Sequence, residues 1–347
     1  MITRTVSIDE NAIINEANVL SEAAEIIRSG ELVAFPTETV YGLGADAKNQ
    51  EASKKIYAAK GRPSDNPLIV HIADICQLEE VASEINNNAK KLAEQFWPGP
   101  LTLVLPKNKD IPYATTGGLD TVAVRFPSHP IAKALIKQSG RLIAAPSANA
   151  SGRPSPTMAS HVYEDLNGRI PLIIDGGQVG IGIESTIVDC TSDIPVILRP
   201  GFITLDMVKS VCGQCEMDPG IVSSDAKPKA PGMKYRHYAP SAPLTIIEGD
   251  RDNVVSYINF NLSKYPREKV GIITTDESKD FYLGGQIISV GSKSDEASVA
   301  HNLYSALRQM DQLNVEVIFS ESFTSSGLGE AVMNRLLKAA GHQVIKV

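Results

Sequence analysis

The sequence predicts an α/β protein with two domains. Its 347 residues are roughly twice the length of an average domain. Over the first 200 or so residues, helical and strand patterns alternate, which indicates one sizeable, twisted mixed sheet with flanking helices. A proline-rich stretch then interrupts the pattern, and a shorter alternation follows it. We therefore expect a large α/β domain over residues 1–212 and a smaller one over residues 242–347.

The elements of the first domain follow from the spacing of its apolar residues. Short apolar runs bounded by prolines or polar loops predict strands over residues 32–35, 68–72, 101–105, 121–125, 142–145, 172–174, 186–188 and 196–198. Apolar residues at helical spacing predict helices over residues 12–28, 51–60, 88–97, 130–138 and 157–166. Strands alternating with helices are typical of a sheet covered by helices.

Residues 213–241 are predicted to link the two domains. Pro219, Pro228, Pro231 and Pro240 lie there, and the first half of the stretch has few apolar residues. Its second half, residues 230–240, is too rich in aromatic and basic side chains for a mere spacer. Beyond it, strands are predicted over residues 244–247, 270–274, 287–290 and 315–319, and helices over residues 252–262, 296–311 and 330–340. This alternation is typical of a small Rossmann-like sheet.

Composition argues against several classes of protein. The net charge of −7 and the pI of about 5.5 disfavour a protein that coats nucleic acid, but do not exclude a basic pocket for a small anion. No apolar run of about 18 residues predicts a transmembrane helix, and the polar N-terminus lacks the core of a signal peptide. Four cysteines are too few for a disulfide scaffold and suit a reducing compartment. We expect a cytoplasmic protein that binds no membrane.

Cys212 and Cys215 form a C-x-x-C pair, and Cys190 is the other cysteine within reach. A zinc site would need a second pair or nearby histidines. We therefore favour a structural or solvent-facing role over a metal or redox site, and predict no protein-bound metal.

The candidate chemistry lies in loops that follow strands. The first loop, residues 36–44, offers threonine hydroxyls and backbone amides to a small polar ligand, or forms a rigid turn. The second, residues 60–68, carries Lys60 and Arg62, whose paired cations suit a polyphosphate; two solvated surface cations are the alternative. His71 follows in a strand, where a lone histidine is more often a core residue than a ligand.

A third loop, residues 144–156, combines small residues with hydroxyl and amide groups. Ser147, Asn149 and Ser155 can cradle phosphate oxygens there, or the loop leads into a capped helix. Arg125 and Arg199 each end a predicted strand. Together the loops predict an anion-binding cleft at the strand ends.

No nucleophile in these loops is paired with an evident base. Positioning and charge neutralisation, as in phosphoryl or nucleotidyl transfer, are therefore favoured over covalent catalysis. Glu38 and Glu184 keep two interpretations, since either can orient water or a metal, or hold the structure of its loop.

The loops resemble those of the threonylcarbamoyl-AMP synthase family, of the Sua5/YrdC type. The matching stretches are residues 35–44, 60–72, 96–105, 119–127, 144–156, 183–189, 198–201 and 230–240. Several long motifs in one order are specific, and the C-terminal domain makes the chain similar to the longer, two-domain Sua5 form. The resemblance implies a YrdC-like fold for the first domain.

The resemblance also implies a reaction. L-threonine and bicarbonate form N-carboxy-threonine, which attacks the α-phosphate of ATP, so that pyrophosphate leaves and threonylcarbamoyl-AMP forms. A separate threonylcarbamoyl transferase complex then passes the group to adenosine 37 of tRNAs that read codons beginning with A. Magnesium is expected to accompany the ATP.

The family's functional residues map onto this chain motif by motif. The resemblance assigns catalysis and ATP binding to Lys60, Arg62, Ser147 and Asn149. Further ATP contacts would fall on Asn66, Thr121, Ser155, Arg199, Tyr235 and His237. L-threonine would be held by Thr39, His71, Arg125, the Ala145 backbone and Ser185. The two linker residues, Tyr235 and His237, are expected to fold over the mouth of the site and exclude water.

Two other functions stay open. Related domains have been thought to present a positive concave surface, so a module that binds double-stranded RNA or tRNA without catalysis is one alternative, although the net charge of −7 speaks against it. The same domain type also occurs in hydrogenase-maturation carbamoyltransferases, but this chain carries neither their zinc-finger nor their acylphosphatase-like parts.

Overall fold

The computed structural model describes residues 1–9, 17–221, 238–324 and 326–347. The chain divides into two compact units. The first comprises Met1–Ser151, Ser155–Gly180 and Glu184–Tyr235, and the second comprises Gly152–Pro154, Ile181–Ile183 and Arg236–Val347.

The first unit is built on one sheet, which has eleven strands among the described residues. The strands are β1 (Arg4–Ser7), β2 (Val33–Phe35), β3 (Gly42–Asp46), β4 (Ile69–His71), β5 (Leu101–Pro106), β6 (Thr121–Arg125), β7 (Ile143–Ala144), β8 (Leu172–Asp175), β9 (Thr186–Asp189), β10 (Val196–Arg199) and β11 (Glu216–Met217). The helices are α1 (Ala17–Arg28), α2 (Gln50–Lys60), α3 (Leu78–Val81), α4 (Asn87–Phe96), α5 (Tyr113–Thr116), α6 (Pro130–Ser139), α7 (Ala159–Leu166) and α8 (Leu205–Cys212). The strand order is β1-β8-β2-β3-β7-β4-β6-β5-β9-β10-β11, with parallel and antiparallel neighbours, so the sheet is mixed as predicted.

The two faces of this sheet carry separate apolar cores. Alternate residues of a strand point to opposite faces. In β2, Ala34 packs in a cluster that includes residues of α2, α4 and α7, whereas Val33 and Phe35 pack with α1 and α6. The helices therefore cover both faces, which leaves the strand ends and their loops to form a site.

The second unit is a five-stranded sheet in the described residues, with strands β12 (Leu244–Glu248), β13 (Val270–Thr274), β14 (Gln286–Ser289), β15 (Val317–Glu321) and β16 (Val344–Lys346). Its helices are α9 (Arg251–Leu262), α10 (Glu296–Gln312) and α11 (Gly327–Ala339). The order is β14-β13-β15-β12-β16, and every neighbouring pair is parallel. The smaller domain is thus the Rossmann-like parallel sheet that the sequence predicts.

Two short segments from the middle of the chain are built into this second unit. The buried guanidinium of Arg308, on α10, donates a hydrogen bond of 2.6 Å to the Pro154 carbonyl. The Ala239 amide donates to the Gly152 carbonyl at 2.9 Å. Gly182 lies so close to α10 that a Cβ on it would be 2.4 Å from the carbonyl oxygen of His301.

Every strand and helix predicted from the sequence is present, although residues 12–16 of the first predicted helix lie outside the described residues. Several short elements were not predicted, namely β1, β3, β11, β16, α3, α5 and α8. One of them corrects the linker: β11 pairs in parallel with β10, so residues 213–217 lead into and extend the sheet rather than begin a spacer. Within the described ranges, no helix has both the length and the apolar composition that crossing a bilayer requires.

Candidate active site

Hydrogen bonds join the first and third predicted loops. Gly42, at the start of β3, forms an antiparallel bridge with Ser147. The Leu43 amide donates to the Pro146 carbonyl at 2.9 Å, and the Ala148 amide donates to the Tyr41 carbonyl at 2.8 Å. The two loops are therefore held in one register, and the polar groups of each have fixed positions relative to the other.

Lys60 reaches this junction from the end of α2. The Asn49 side chain caps the start of that helix by accepting from two amides, and Gly61, at φ 65°, ends it in the left-handed conformation. Lys60 is 3% exposed, and its ammonium donates to the carbonyls of Ser147 and Asn149, each at 2.5 Å. The alternative of a solvated surface cation is thus wrong for Lys60.

Ser147 and Asn149 contact each other beside this ammonium. The Ser147 hydroxyl donates to Asn149 Oδ1 at 2.5 Å, and the Asn149 amide donates to the Ala150 carbonyl at 2.9 Å. Asn149 Oδ1 also lies 3.4 Å from Lys60 Nζ. Three of the four residues that the resemblance assigns to catalysis therefore form one cluster.

The fourth, Arg62, lies on the second loop with Asn66. Its guanidinium donates to the carbonyls of Asn66 at 3.3 Å and of Pro67 at 3.1 Å. The Asn66 side chain is buried, yet neither its amide nitrogen nor its oxygen has a hydrogen-bond partner among the described residues. Buried amides are normally paired, so Asn66 marks a place where a ligand or water is expected.

A second cluster surrounds Arg125 at the end of β6. Its guanidinium donates to the Thr39 hydroxyl at 2.8 Å, and Nη2 lies 2.8 Å from Oε1 of Glu38. Both side chains are buried, but the ion pair is poorly aligned for hydrogen bonding. Among the described residues, Nε and Nη2 of Arg125 and both oxygens of Glu38 lack hydrogen-bond partners. A cation and an anion with unused bonding capacity thus lie side by side.

Two pKa shifts describe the charges in this cluster. Burial alone would raise the pKa of Glu38, but the positive charge of the adjacent Arg125 guanidinium and the nearby backbone amides outweigh it, so the pKa lies below its usual value. Burial, together with the Arg125 charge, lowers the pKa of His71 to about 3. His71 is therefore neutral at neutral pH. Its Nδ1 lies 3.1 Å from the Ile69 carbonyl, which can only accept, so Nδ1 carries the proton.

Thr102 links strand β6, which ends at Arg125, to Ser185, another predicted threonine contact. Thr102 lies directly opposite Arg125 in the β5–β6 pair. Its hydroxyl is 2.7 Å from the Ser185 hydroxyl. Arg199 then donates to the Ser185 carbonyl at 2.9 Å and to its hydroxyl at 3.1 Å. Ser185 therefore lies between the predicted threonine contacts and a predicted ATP contact.

The other predicted site residues differ in how closely they join these clusters. The Ser155 hydroxyl donates a hydrogen bond of 2.6 Å to the carboxylate of Glu184. Glu184 immediately precedes Ser185 in the sequence, so Ser155 lies close to the Ser185 segment. The Ala145 amide is committed to the Ile69 carbonyl at 2.8 Å, so a ligand contact of this backbone falls on the Ala145 carbonyl. Thr121 begins β6 and Arg125 ends it, which separates them by about 13 Å along the strand. Tyr235 and His237 lie outside the described residues.

Carboxylates and thiols do not form a metal cage in the described part of the chain. No group of three or more histidine, cysteine, aspartate and glutamate side chains is arranged there to hold a metal ion. Burial raises the pKa of the thiols of Cys190 and Cys215, the latter to about 11. These two cysteines pack in the apolar core of the first unit.

Comparisons with known proteins cover nearly the whole chain. One family model, described as "Telomere recombination", matches residues 25–201, and another, described as "Threonylcarbamoyl-AMP synthase, C-terminal domain", matches residues 203–341. The threonylcarbamoyl-AMP synthase of Bacillus subtilis is 52% identical over 94% of each chain. That of Pyrococcus abyssi is 53% identical over 94% of this chain and 95% of its own. The chain belongs to the Sua5 family of threonylcarbamoyl-AMP synthases.

A solved structure agrees with this membership. The crystal structure of P. abyssi Sua5 complexed with L-threonine matches with a TM-score of 0.92 at 50% identity, and covers 100% of both chains. The predicted two-domain Sua5 form and its α/β fold class are thereby confirmed. The roles of the individual site residues in this Sua5-family chain stay predictions.

Two buried polar side chains in or beside the predicted site segments, Thr102 and Tyr41, are not predicted from sequence, and a third, Glu38, is left undecided. Thr102 lies within a predicted strand, and Tyr41 donates to the Gly177 carbonyl at 2.6 Å from within the first loop. At both positions the sequence shows only a polar residue among apolar neighbours, which does not predict a role in a site. Glu38 keeps two interpretations from sequence, and its ion pair with Arg125, 87 residues away, gives it a partner at the site.

Proposed function

We propose that this chain makes threonylcarbamoyl-AMP and pyrophosphate from L-threonine, bicarbonate and ATP. It is an enzyme of the nucleotidyltransferase type, as its family membership establishes. The observation that carries the proposal is the buried pair of Arg125 and Glu38. Its unused hydrogen-bond capacity complements a zwitterion, and the Lys60 cluster provides a separate place for phosphate.

The threonine substrate fits the Arg125 cluster by charge. Its carboxylate would bind the guanidinium of Arg125, which still has two donor nitrogens to use. Its ammonium would face the Glu38 carboxylate. The Thr39 and Ser185 hydroxyls, with the neutral His71, offer hydrogen bonds to its hydroxyl group. The solved Sua5 structure with L-threonine supports this substrate.

The ATP substrate fits the loops on the other side of the junction. Arg62 would release the carbonyls of its own loop to bind the triphosphate, and Asn66 would satisfy its unpaired amide there. Lys60 is already bonded to Ser147 and Asn149, so it would hold their loop in shape while its charge attracts phosphate oxygens. Ser155 and Arg199 would extend the same contact surface, with Thr121 at its far end.

The chemistry needs no nucleophile from the protein. The threonine amine and bicarbonate first form the N-carboxyl group with loss of water. An oxygen of this N-carboxyl group, not of the amino acid's own carboxylate, then forms a bond to the α-phosphorus, and the bond from that phosphorus to the bridging oxygen of pyrophosphate breaks. The protein holds the two reactants in line and neutralises charge on the phosphates. A rigid, buried set of donors does this without reorganising during the reaction.

Magnesium, the cytoplasmic location and the downstream transferase complex also belong to this proposal. Mg²⁺ often binds through substrate phosphates with one or two carboxylates, and Glu184 beside Ser155 is the carboxylate that fits. Bound there, the ion would neutralise charge on the departing pyrophosphate. A cytoplasmic location suits the four free cysteines. The product would pass to a threonylcarbamoyl transferase complex acting on tRNA.

The decisive experiment measures pyrophosphate release from ATP with threonine and bicarbonate omitted in turn. We expect release only when both are present. Arg62→Ala should abolish use of ATP, Arg125→Ala should mainly raise the KM for threonine, and the exposed control Arg4→Ala should match the wild type. Release that is indifferent to threonine would refute the proposal.

One surface feature favours the alternative of RNA binding. A cavity of about 810 Å³ on the first unit is lined in part by Lys90, Lys107, Lys109 and Tyr113, and Lys107 lies 4.2 Å from the centre of the Tyr113 ring. Lysines attract the phosphates of RNA, and an exposed aromatic ring can stack on an unpaired base of a tRNA. Tight tRNA binding at physiological salt, independent of ATP and lost in Lys107→Glu, would support this function instead.

A further inference from the structure

The second unit has a crevice at the carboxyl ends of its parallel strands. Neighbouring strands β12 and β15 send their helices to opposite faces of the sheet. Residues of α9, which follows β12, pack against Val317 and Phe319 on one face. On the other face, Gly271 lies against Met310 of α10, and α11, which follows β15, packs against α10. Open α/β sheets bind ligands at such switch points, outside the carboxyl ends of the strands.

The crevice contains a cavity of about 220 Å³. Its walls come from the segments that follow four strands, including Arg251 after β12, Glu277 and Ser278 after β13, Lys293 after β14, and Glu321 with Ser322 at the end of β15. At about 30 Å³ for each water molecule, this volume holds roughly seven waters. It is smaller than the pockets of about 300 Å³ or more that hold drug-sized ligands.

The floor of the cavity is polar and buried. Glu321 is 7% exposed, and its Oε1 accepts hydrogen bonds from the hydroxyls of Thr274 and Tyr282. Its Oε2 has one long contact in the described residues, 3.4 Å from the Thr275 hydroxyl. A carboxylate oxygen can accept about two hydrogen bonds, so Oε2 has capacity for another donor. The floor therefore favours a group that donates hydrogen bonds or carries positive charge.

The rim carries two cations that are more exposed. Arg251 begins α9, with its guanidinium carbon 4.9 Å from the centre of the Phe281 ring and Nε 3.3 Å from Asp252. No ion pair or hydrogen bond is made by the Lys293 ammonium within the described residues. Glu277 also lines the cavity, but its carboxylate already accepts hydrogen bonds from the Ser292 hydroxyl and the Lys293 amide. An anionic group of a ligand would therefore bind on the side of the rim formed by the Arg251 and Lys293 side chains.

We propose that this crevice is a second ligand site, which binds a free α-amino acid. The ammonium of the ligand would contact Glu321 Oε2 and the hydroxyls beside it, and its carboxylate would contact Arg251 and Lys293. The charge order, negative floor and positive rim, matches a zwitterion. A nucleotide fits less well, because the segment after β12 lacks a glycine-rich phosphate loop and the cavity is small.

The test is calorimetric titration of the full chain with each of the twenty L-amino acids, and with AMP and inorganic phosphate. The titrations are repeated in the Arg125→Ala background, which separates this site from the proposed threonine site. We expect at least one amino acid to bind in that background. The double variant Arg251→Glu with Lys293→Glu should weaken this binding at least tenfold, whereas Lys264→Glu should not. Lys264 follows the other end of α9, about 20 Å from Arg251.

Pyrophosphate release by the double variant, measured with ATP, bicarbonate and threonine and with no other amino acid, serves as the control for folding, and we expect it to equal that of the wild type under the same conditions. Three results would each overturn the proposal: no amino acid binds in the Arg125→Ala background; an amino acid binds equally well to the double variant; or only AMP or phosphate binds. None of these results bears on the first site, which the pyrophosphate assay tests separately.

Discussion

The side chains of Arg125 and Glu38 are both buried, and each neutralises the charge of the other. Neutralising one member of such a pair leaves the other uncompensated, which is costly in a protein interior. We expect Glu38→Gln to raise the KM for threonine about 10- to 100-fold, since a hydrogen bond to a charged group contributes roughly 1.5–3 kcal/mol. Steady-state kinetics with threonine varied would measure this.

The matched control for this substitution is Glu80→Gln, which removes an exposed carboxylate paired with Lys48. Its KM should not change, because exposed ion pairs contribute little. An unchanged threonine KM in Glu38→Gln would show that the carboxylate does not face the substrate.

His71 should make the fold sensitive to acid. Its pKa is about 3 in the folded protein and near 6.5 when unfolded, so between these values the unfolded chain binds the proton and acid favours unfolding. When the pH falls from 7 to 5, protonation of His71 in the unfolded chain should lower the free energy of unfolding by about 2 kcal/mol. Urea denaturation at both pH values should show a smaller loss for His71→Asn.

The exposed His342→Asn serves as the control and should keep the wild-type pH dependence. The carboxylate of Glu38 does not confuse the comparison, because its lowered pKa affects stability only below about pH 4.5. A loss in His71→Asn as large as that of the wild type would contradict the neutral, buried state of this histidine.

Single residues of the site are predictable from sequence only in part. The types of Lys60, Ser147 and Asn149 point to phosphate chemistry, but nothing local reveals that the lysine is buried against carbonyls 87 and 89 residues away. The same holds for Arg125, whose partners Glu38 and Thr39 arrive through the register of the sheet. Side-chain chemistry is readable from sequence, and long-range pairing is not.

At the scale of elements, strand β3 shows most clearly why a strand was not predicted from the sequence. Its sequence, residues 42–46, contains two glycines and reads as a loop because glycine is depleted in strands. The structure gives the reason for Gly44: a Cβ there would lie 2.7 Å from both the Phe35 ring and Ile143. Glycine is present because neighbouring side chains already fill the space, which a single-sequence propensity cannot register.

Gly44→Ala should therefore destabilise the first unit by about 1–3 kcal/mol through overpacking. Gly42→Ala is the matched control on the same strand, because its Cβ would meet its neighbours at 3.4 Å, an ordinary contact. Denaturant unfolding of the two variants should separate them clearly. Equal stability would mean that the Phe35 ring moves aside at little cost.

The remaining missed elements are short or lie at sheet edges. β1 and β11 each pair with one neighbour only, and β11 has two residues. Such segments have too few residues to display a period of two. The 17-residue helix α10 displays its period repeatedly, and both of its ends are predicted within one residue.

For the whole molecule, chain length correctly suggests two domains but cannot show that the second one takes segments from the middle of the chain. Gly182 tests this arrangement. It has φ +88°, and a Cβ would be 2.4 Å from the His301 carbonyl oxygen, so Gly182→Ala should cost about 2–4 kcal/mol of unfolding free energy. Gly180→Ala, whose nearest contact would be at 3.9 Å, should be nearly neutral. Thermal unfolding of both variants would decide.

The hydrogen bond from Arg308 to the Pro154 carbonyl spans 154 residues of sequence. A ribosome that adds about 5–20 residues per second needs roughly 8–30 s to make the second partner after the first. During that interval residues 152–154 exist without the helix that later contacts them. The Pro154 carbonyl can therefore reach its final hydrogen bond only after α10 has been synthesised.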